Sequence, residues 1–144
     1  MNNKRRTDSY IPEAIKALDA CGIAKDGKID SSYRGQISSF GAAVTIGSFK
    51  QAVAFFAQDA KNGDSKINRS DLILAIDYVL NPGKYTEEKI SEKKEKVSKI
   101  KEYILDITEP VKLKALENRY LDAAVALKVA MGVYDMCPRD KKEE

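Results

Sequence analysis

Twelve residues, AKNGDSKINRSD from Ala60 to Asp71, carry oxygen-bearing side chains at spacings close to those of a calcium loop. Such loops supply oxygens at positions 1, 3, 5, 7, 9 and 12, with glycine at position 6 to make the turn. With Asp64 at position 5, Asn62 falls at 3, Ile67 at the apolar position 8 and Asp71 at 12, but position 1 is Ala60 and position 6 is Ser65. Starting instead at Asp59 puts Lys61 at position 3, where an ammonium would face the ion. The segment KDGKID at 25–30 fits less well, because Asp26 at position 5 leaves Gly22 at 1, Ala24 at 3 and Tyr33 at 12. Calcium needs about six to eight oxygens, so no metal is expected. The simpler reading is a turn at Asn62-Gly63, with Asn68 or Ser70 capping the next helix and Asp71 in its positive first turn.

Other chemistries have still less to work with. The chain contains no histidine, which removes the usual general base near neutral pH, the commonest metal ligand and every Ser-His or Cys-His nucleophile. Cys21 and Cys137 lie far apart with no CxxC spacing, and both read as reduced core residues rather than a redox pair or metal knuckle. There is no Gly-rich phosphate loop and no HExxH-like spacing. The expectation is a protein that is not an enzyme and uses no cofactor.

At 144 residues, with 43% hydrophobic and 33% charged residues, the chain has the composition of one globular domain. A net charge of +3 is too small to coat nucleic acid unaided, so any such binding must come from local clusters. The start, MNNKRRTDSYIPEA, lacks the apolar run of a signal peptide, and no stretch is long and apolar enough to span a bilayer. A cytoplasmic location without membrane contact is expected.

Apolar spacing is helical almost throughout, and no period-two run insists on a strand. The fold class expected is all-α, a single-domain compact bundle of about five to six helices with a long C-terminal helix. Ile11, Ile15, Leu18 and Cys21 mark a first helix after Asp8/Ser9, with Pro12 near its first turn and Gly22 ending it. Ile37, Phe40, Gly41 and Val44 mark a second from Ser31/Ser32, and Phe49, Ala52, Val53, Phe56 and Ala57 a third after Gly47-Ser48. Leu72, Ile73, Ile76, Val79 and Leu80 mark a fourth that stops at Asn81-Pro82-Gly83. Residues 84–107 hold seven lysines and five glutamates around a thin stripe of Ile90, Val97, Ile100 and Ile104, and read as a charged, solvated surface helix. The last helix runs from Pro110 to about Cys137, with an apolar stripe broad enough to make it the central one. Residues 1–7 and 138–144 are expected to fray.

One stretch departs from this pattern. Between Ser31 and Gln58 only Arg34 and Lys50 are charged, although a helix with one face on the core normally carries charges on the other. Gly35, Ser38, Ser39, Gly41, Ala42 and Ala43 leave room for another backbone, while Tyr33, Arg34 and Gln36 offer hydrogen bonds at one end. That composition suits a partner face with an Arg/Tyr anchor. Small residues also make tight contacts inside a domain, where Arg34 would cap a helix or pair with a carboxylate.

The segment YRGQISSFGAAVTIGSFKQAVAFF, with its Tyr-Arg, its small residues and its closing Phe55-Phe56 pair, resembles the small helical subunit of the type III-B CRISPR effector, the RAMP-module or Cmr complex (the fifth Cmr protein family). The start RRTDSYIPEAIKAL and the last helix YLDAAVALKVAMGVYDM agree with it, and residues 61–112 are least diagnostic. The resemblance implies an all-helical, non-catalytic subunit stacked in several copies beside larger RAMP backbone subunits and the large subunit, lining the groove where target RNA pairs with guide RNA. Protein would then read phosphate and shape while base pairing supplies sequence. On this reading Tyr33, Gly35, Gln36, Ser39 and Ala43 face another subunit. Arg34 is carried over from the motif as an RNA contact, and charge and position add Lys4, Arg5, Arg6, Lys50, Lys112, Lys114, Arg119 and Lys128. The alternative is a dockerin- or EF-hand-like calcium or protein-binding helical module, on the strength of the loop at 60–71.

Overall fold

The computed structural model describes residues 3–58, 68–86 and 88–137. Its helices are α1 (Asn3–Ala20), α2 (Ser31–Ile46), α3 (Phe49–Phe56), α4 (Ser70–Leu80), α5 (Lys93–Leu105) and α6 (Pro110–Met131), with a 3-10 turn at Pro82–Lys84. Three short strands, β1 (Ala24–Lys25), β2 (Lys28–Asp30) and β3 (Asp135–Cys137), complete it. The all-α bundle with a long C-terminal helix is therefore present, and the small sheet is an addition to it.

Local chemistry sets the helix ends. At the end of α1, Ile23 N–H donates to the Leu18 carbonyl at 3.0 Å and Gly22 N–H to that of Asp19 at 3.1 Å. This is a Schellman ending, and Gly22 takes the left-handed φ of +80° that it requires. Asp30 caps α2 by accepting from Ser32 N–H at 2.8 Å, and Ser48 caps α3 by accepting from Gln51 N–H at 3.1 Å. Asn68, one of the two residues predicted to cap α4, accepts from the Ser70 amide at 3.1 Å.

Packing places α4, not α6, at the centre. Every residue of α4 except Tyr78 is buried, and it packs against α1, α3, α5 and α6. The predicted central helix α6 covers α1, α2 and α4 but leaves Val125 and Val129 exposed. It also stops at Met131 rather than near Cys137, and the chain then turns back so that β3 lies parallel to β2, with Ile29 opposite Met136. Phe40 meets Phe56 edge-on at 5.3 Å and Phe49 meets Tyr120 at 5.0 Å, joining α2, α3 and α6 through rings.

Three further expectations are corrected. The KDGKID segment is a β-hairpin: Asp26 and Gly27 both have positive φ (55° and 77°) and join antiparallel β1 and β2 as a two-residue turn. Residues 3–7 belong to α1, so Pro12 sits inside the helix and the helix lacks the bond its N–H would have made; residues 138–144 lie outside the described residues. The charged helix begins only at Lys93. Before it, Ile90 N–H donates to the Ala20 carbonyl at 3.0 Å and Lys89 pairs with Asp19 at 2.9 Å, so this segment straps the C-terminal end of α1, where cations oppose the negative end of the helix dipole.

The α4 centre contains a carboxylate. Asp71 is buried, accepts from the Tyr33 hydroxyl at 3.3 Å and pairs with Lys93 at 3.2 Å, while Lys93 also donates to the Cys21 carbonyl at 2.9 Å. Burial holds the Asp71 carboxyl above the usual range, with Lys93 and Tyr33 pulling it back down. Lys93→Met removes the cation. The expected loss near pH 7 is about 2 kcal/mol, less than the roughly 3–5 kcal/mol of a fully buried pair because the Lys93 side chain is 38% exposed. Since the folded-state pKa lies above the unfolded one, this penalty is present at high pH and shrinks as pH falls through the folded value. Urea unfolding near pH 7 and near pH 5 measures it, and an equal loss at both would contradict the assignment.

Candidate nucleic-acid interface

The uncharged helix shows two different sides. Tyr33, Ile37, Phe40 and Val44 point inward, and Tyr33, only 5% exposed, spends its hydroxyl on Asp71 and on the Asn68 amide. Tyr33 thus serves the core and does not line the outer face. Gln36 and Ala43 are half-buried at its flanks, and Arg34, Gly35 and Ser39 are exposed together with Ser38, Ala42 and Ile46.

Two hydroxyls of that outer face are occupied by the helix itself. Ser38 Oγ donates to the Arg34 carbonyl at 3.2 Å and Thr45 Oγ1 to the Gly41 carbonyl at 3.0 Å, leaving mainly methyl and methylene surface outward. Ile46 is 86% and Phe55 51% exposed, and between them runs an open groove of about 450 Å³ lined by Ala42, Ala43, Gln51 and Phe55. A Cβ built on Gly35 or Gly41 would meet nothing within 4 Å. Tight packing inside the described domain therefore does not account for either glycine, although each costs a helix about 0.5–1 kcal/mol relative to alanine. Among the described residues nothing bonds or pairs with the Arg34 side chain.

The candidate cations are divided by the fold. Lys4, Arg5 and Arg6 fall in the first turn of α1, and their side chains lie outside the described residues. Lys50 is half-buried and donates to the carbonyls of Leu105 at 3.0 Å and Ile107 at 2.6 Å, so it caps the end of α5. On α6, Lys112 and Arg119 stand seven residues apart on one face, while Lys114 and Lys128 fall on roughly the opposite one. Lys114 pairs with Glu117 at 3.2 Å and Lys112 stands over the Tyr103 ring at 5.5 Å. Arg119 is exposed and Lys128 half-buried.

Sequence reasoning missed where Arg119 points. It lines a cleft between α4, α5 and α6 together with Lys84 and Lys99, two lysines read as part of a solvated face. The available signal was spacing: Lys99 and Tyr103 on α5 are four residues apart, and on α6 Arg119 and Tyr120 follow Leu116 by three and four residues.

The calcium reading meets a different arrangement. Asp71, its position-12 ligand, is turned to Tyr33 and Lys93; Asn68 at position 9 accepts from Ser70, and Asn62 and Asp64 lie outside the described residues. Among the described residues no group of three His, Cys, Asp or Glu could hold a metal ion, and no helix is long and apolar enough to cross a membrane. No protein-family model, no curated protein and no solved structure matches the chain.

The role of Lys50 can be separated from RNA binding. Lys50→Met is expected to lower stability by about 1–2 kcal/mol, because two carbonyls at the end of α5 lose a charged donor, and to leave RNA affinity within about twofold once the protein is folded. Thermal melts beside a salt-controlled RNA titration measure both, and a large affinity loss at unchanged stability would return Lys50 to the RNA set.

Proposed function

We propose that this chain is a non-catalytic small subunit of a type III-B CRISPR RNA-guided effector. In this reading several copies stack along the RAMP backbone, next to the large subunit, and contact guide and target RNA through basic residues during antiviral defence. The observation that carries the reading is the outer face of α2: uncharged apart from Arg34, with Gly35 exposed and Gly41 half-buried at its edge, two glycines that no contact within the described domain requires. A helix that gives up stability for open backbone is suited to a partner that comes close. The resemblance of residues 33–56 to the Cmr small subunit supplies the kind of partner.

The division of cations suits the same role. With Lys50 occupied inside the fold and Lys114 and Lys128 facing away from Lys112 and Arg119, these candidates form no single stripe among the described residues that could follow a long nucleic acid alone. Contact with RNA would be weak and salt-dependent for the free subunit and tighter when neighbouring subunits complete the groove.

Reconstitution with the backbone subunits, large subunit and a guide RNA tests this directly. Gly35→Ala and Gly41→Ala should each stabilise the isolated chain by about 0.5–1 kcal/mol while weakening its incorporation. Arg34→Ala should lower assembly or target-strand binding with little change in melting temperature. Glycine variants that assemble as well as the natural chain would remove the α2 face from the interface, and unfolding of Arg34→Ala would make that residue structural.

A further inference from the structure

The cleft between α4, α5 and α6 encloses about 360 Å³, near the lower end of small-molecule sites, roughly 300–1,000 Å³. Polar side chains line it from all three: Asp77 from α4 with Asn81 just past its end, Lys99 and Tyr103 from α5, Arg119 and Tyr120 from α6. Lys84 closes one edge.

Charge in the cleft is strongly one-sided. Its carboxylate, Asp77, is buried and already accepts from Lys84 at 3.1 Å, from Asn81 Nδ2 at 3.1 Å and from the Tyr85 hydroxyl. Lys99 and Arg119 are exposed, and among the described residues neither has a partner. The apolar part of the wall is Ile100 and Leu116.

A hydroxyl carried on a buried ring completes the site. Tyr120 is 3% exposed, its ring packs on Phe49, and no described residue bonds its hydroxyl. Tyr120 lines the cleft beside Asp77, Tyr103 and Arg119. The hydroxyl is not sealed from solvent, so it is open to bond whatever enters the cleft.

We propose that this cleft binds one phosphorylated nucleoside, with the phosphate held by Lys99, Arg119 and the Tyr120 hydroxyl and the base laid against Tyr103. Arginine and lysine around one anion make charge-assisted bonds to phosphate oxygens, and an exposed aromatic ring or guanidinium plane takes a base by stacking. The volume accommodates one nucleotide unit, either free or the end of a strand. The inference does not depend on the effector reading and would hold for a protein of another function.

The experiment follows backbone and side-chain NMR signals of the full chain during titration with adenosine 5′-monophosphate, adenosine and inorganic phosphate. The monophosphate is expected to saturate with shifts concentrated at Lys99, Tyr103, Arg119 and Tyr120, with adenosine and phosphate at least about tenfold weaker, since each makes only part of the contact set. Lys99→Gln and Arg119→Gln should each weaken it by about tenfold. Lys94→Gln, the same charge change elsewhere on α5, should stay within about twofold, and Tyr120→Phe should weaken binding while keeping the ring. A 5′-phosphorylated trinucleotide should displace the monophosphate, and whichever binds more tightly identifies the source. Absence of saturable shifts, or equal losses in Lys94→Gln and Lys99→Gln, would overturn the proposal.

Discussion

Four helices meet at one carboxylate. Asp71 stands in the first turn of the most buried helix, α4; Tyr33 reaches it from α2 and Lys93 from the start of α5, and the same lysine holds the Cys21 carbonyl at the end of α1. Burying a carboxylate is costly unless it is paired and hydrogen-bonded, so this site stabilises only one mutual placement of those elements. It also sets what the molecule shows to solvent. Neighbouring residues on a helix are about 100° apart, so fixing Tyr33 inward turns Arg34 outward, with Ser38, Ala42 and Thr45 following along the same stripe.

The rest of the α4 surface is treated similarly. Asp77, its second buried carboxylate, is met by Lys84, Asn81 and Tyr85, and Tyr85 stacks on Tyr78 at 5.5 Å. Burial raises the Tyr85 hydroxyl pKa, and so does its bond to Asp77, keeping it a donor. Burial likewise raises the Cys21 thiol pKa, which keeps it an inert core residue as its sequence context suggested. The charged elements around α4 therefore have a structural purpose: the lysines before and within α5 neutralise buried carboxylates and tie down the end of α1.

Periodicity exposed the helices because their burial is one-sided: Ile37, Phe40 and Val44, or Val97, Ile100 and Ile104, are buried at the spacing the sequence shows. It could not expose the sheet, whose strands of two or three residues are too short to display a period of two. Asp26-Gly27 is a turn dipeptide that, in the sequence, read only as part of a calcium loop, and the third strand beside its hairpin, β3, comes from far along the chain. The rank of the helices was misread because α4 is short, while the long stripe of α6 includes valines that remain exposed. Among the site residues, the exposure of Gly35 and Ser39 followed from the lack of charge. The inward turn of Tyr33, the capping role of Lys50 and the cleft around Arg119 all depend on contacts across the sequence.

The central claim is that the outer face of α2 exists for partners in an RNA-guided assembly. Its most direct test is purification of the tagged protein from its own host at low salt, followed by mass spectrometry of the co-purifying proteins and sequencing of the bound RNA. The account predicts several RAMP-type subunits, the large subunit and a repeat-derived guide RNA. Recovery of the chain alone and free of RNA, from cells shown to express those subunits, would contradict it.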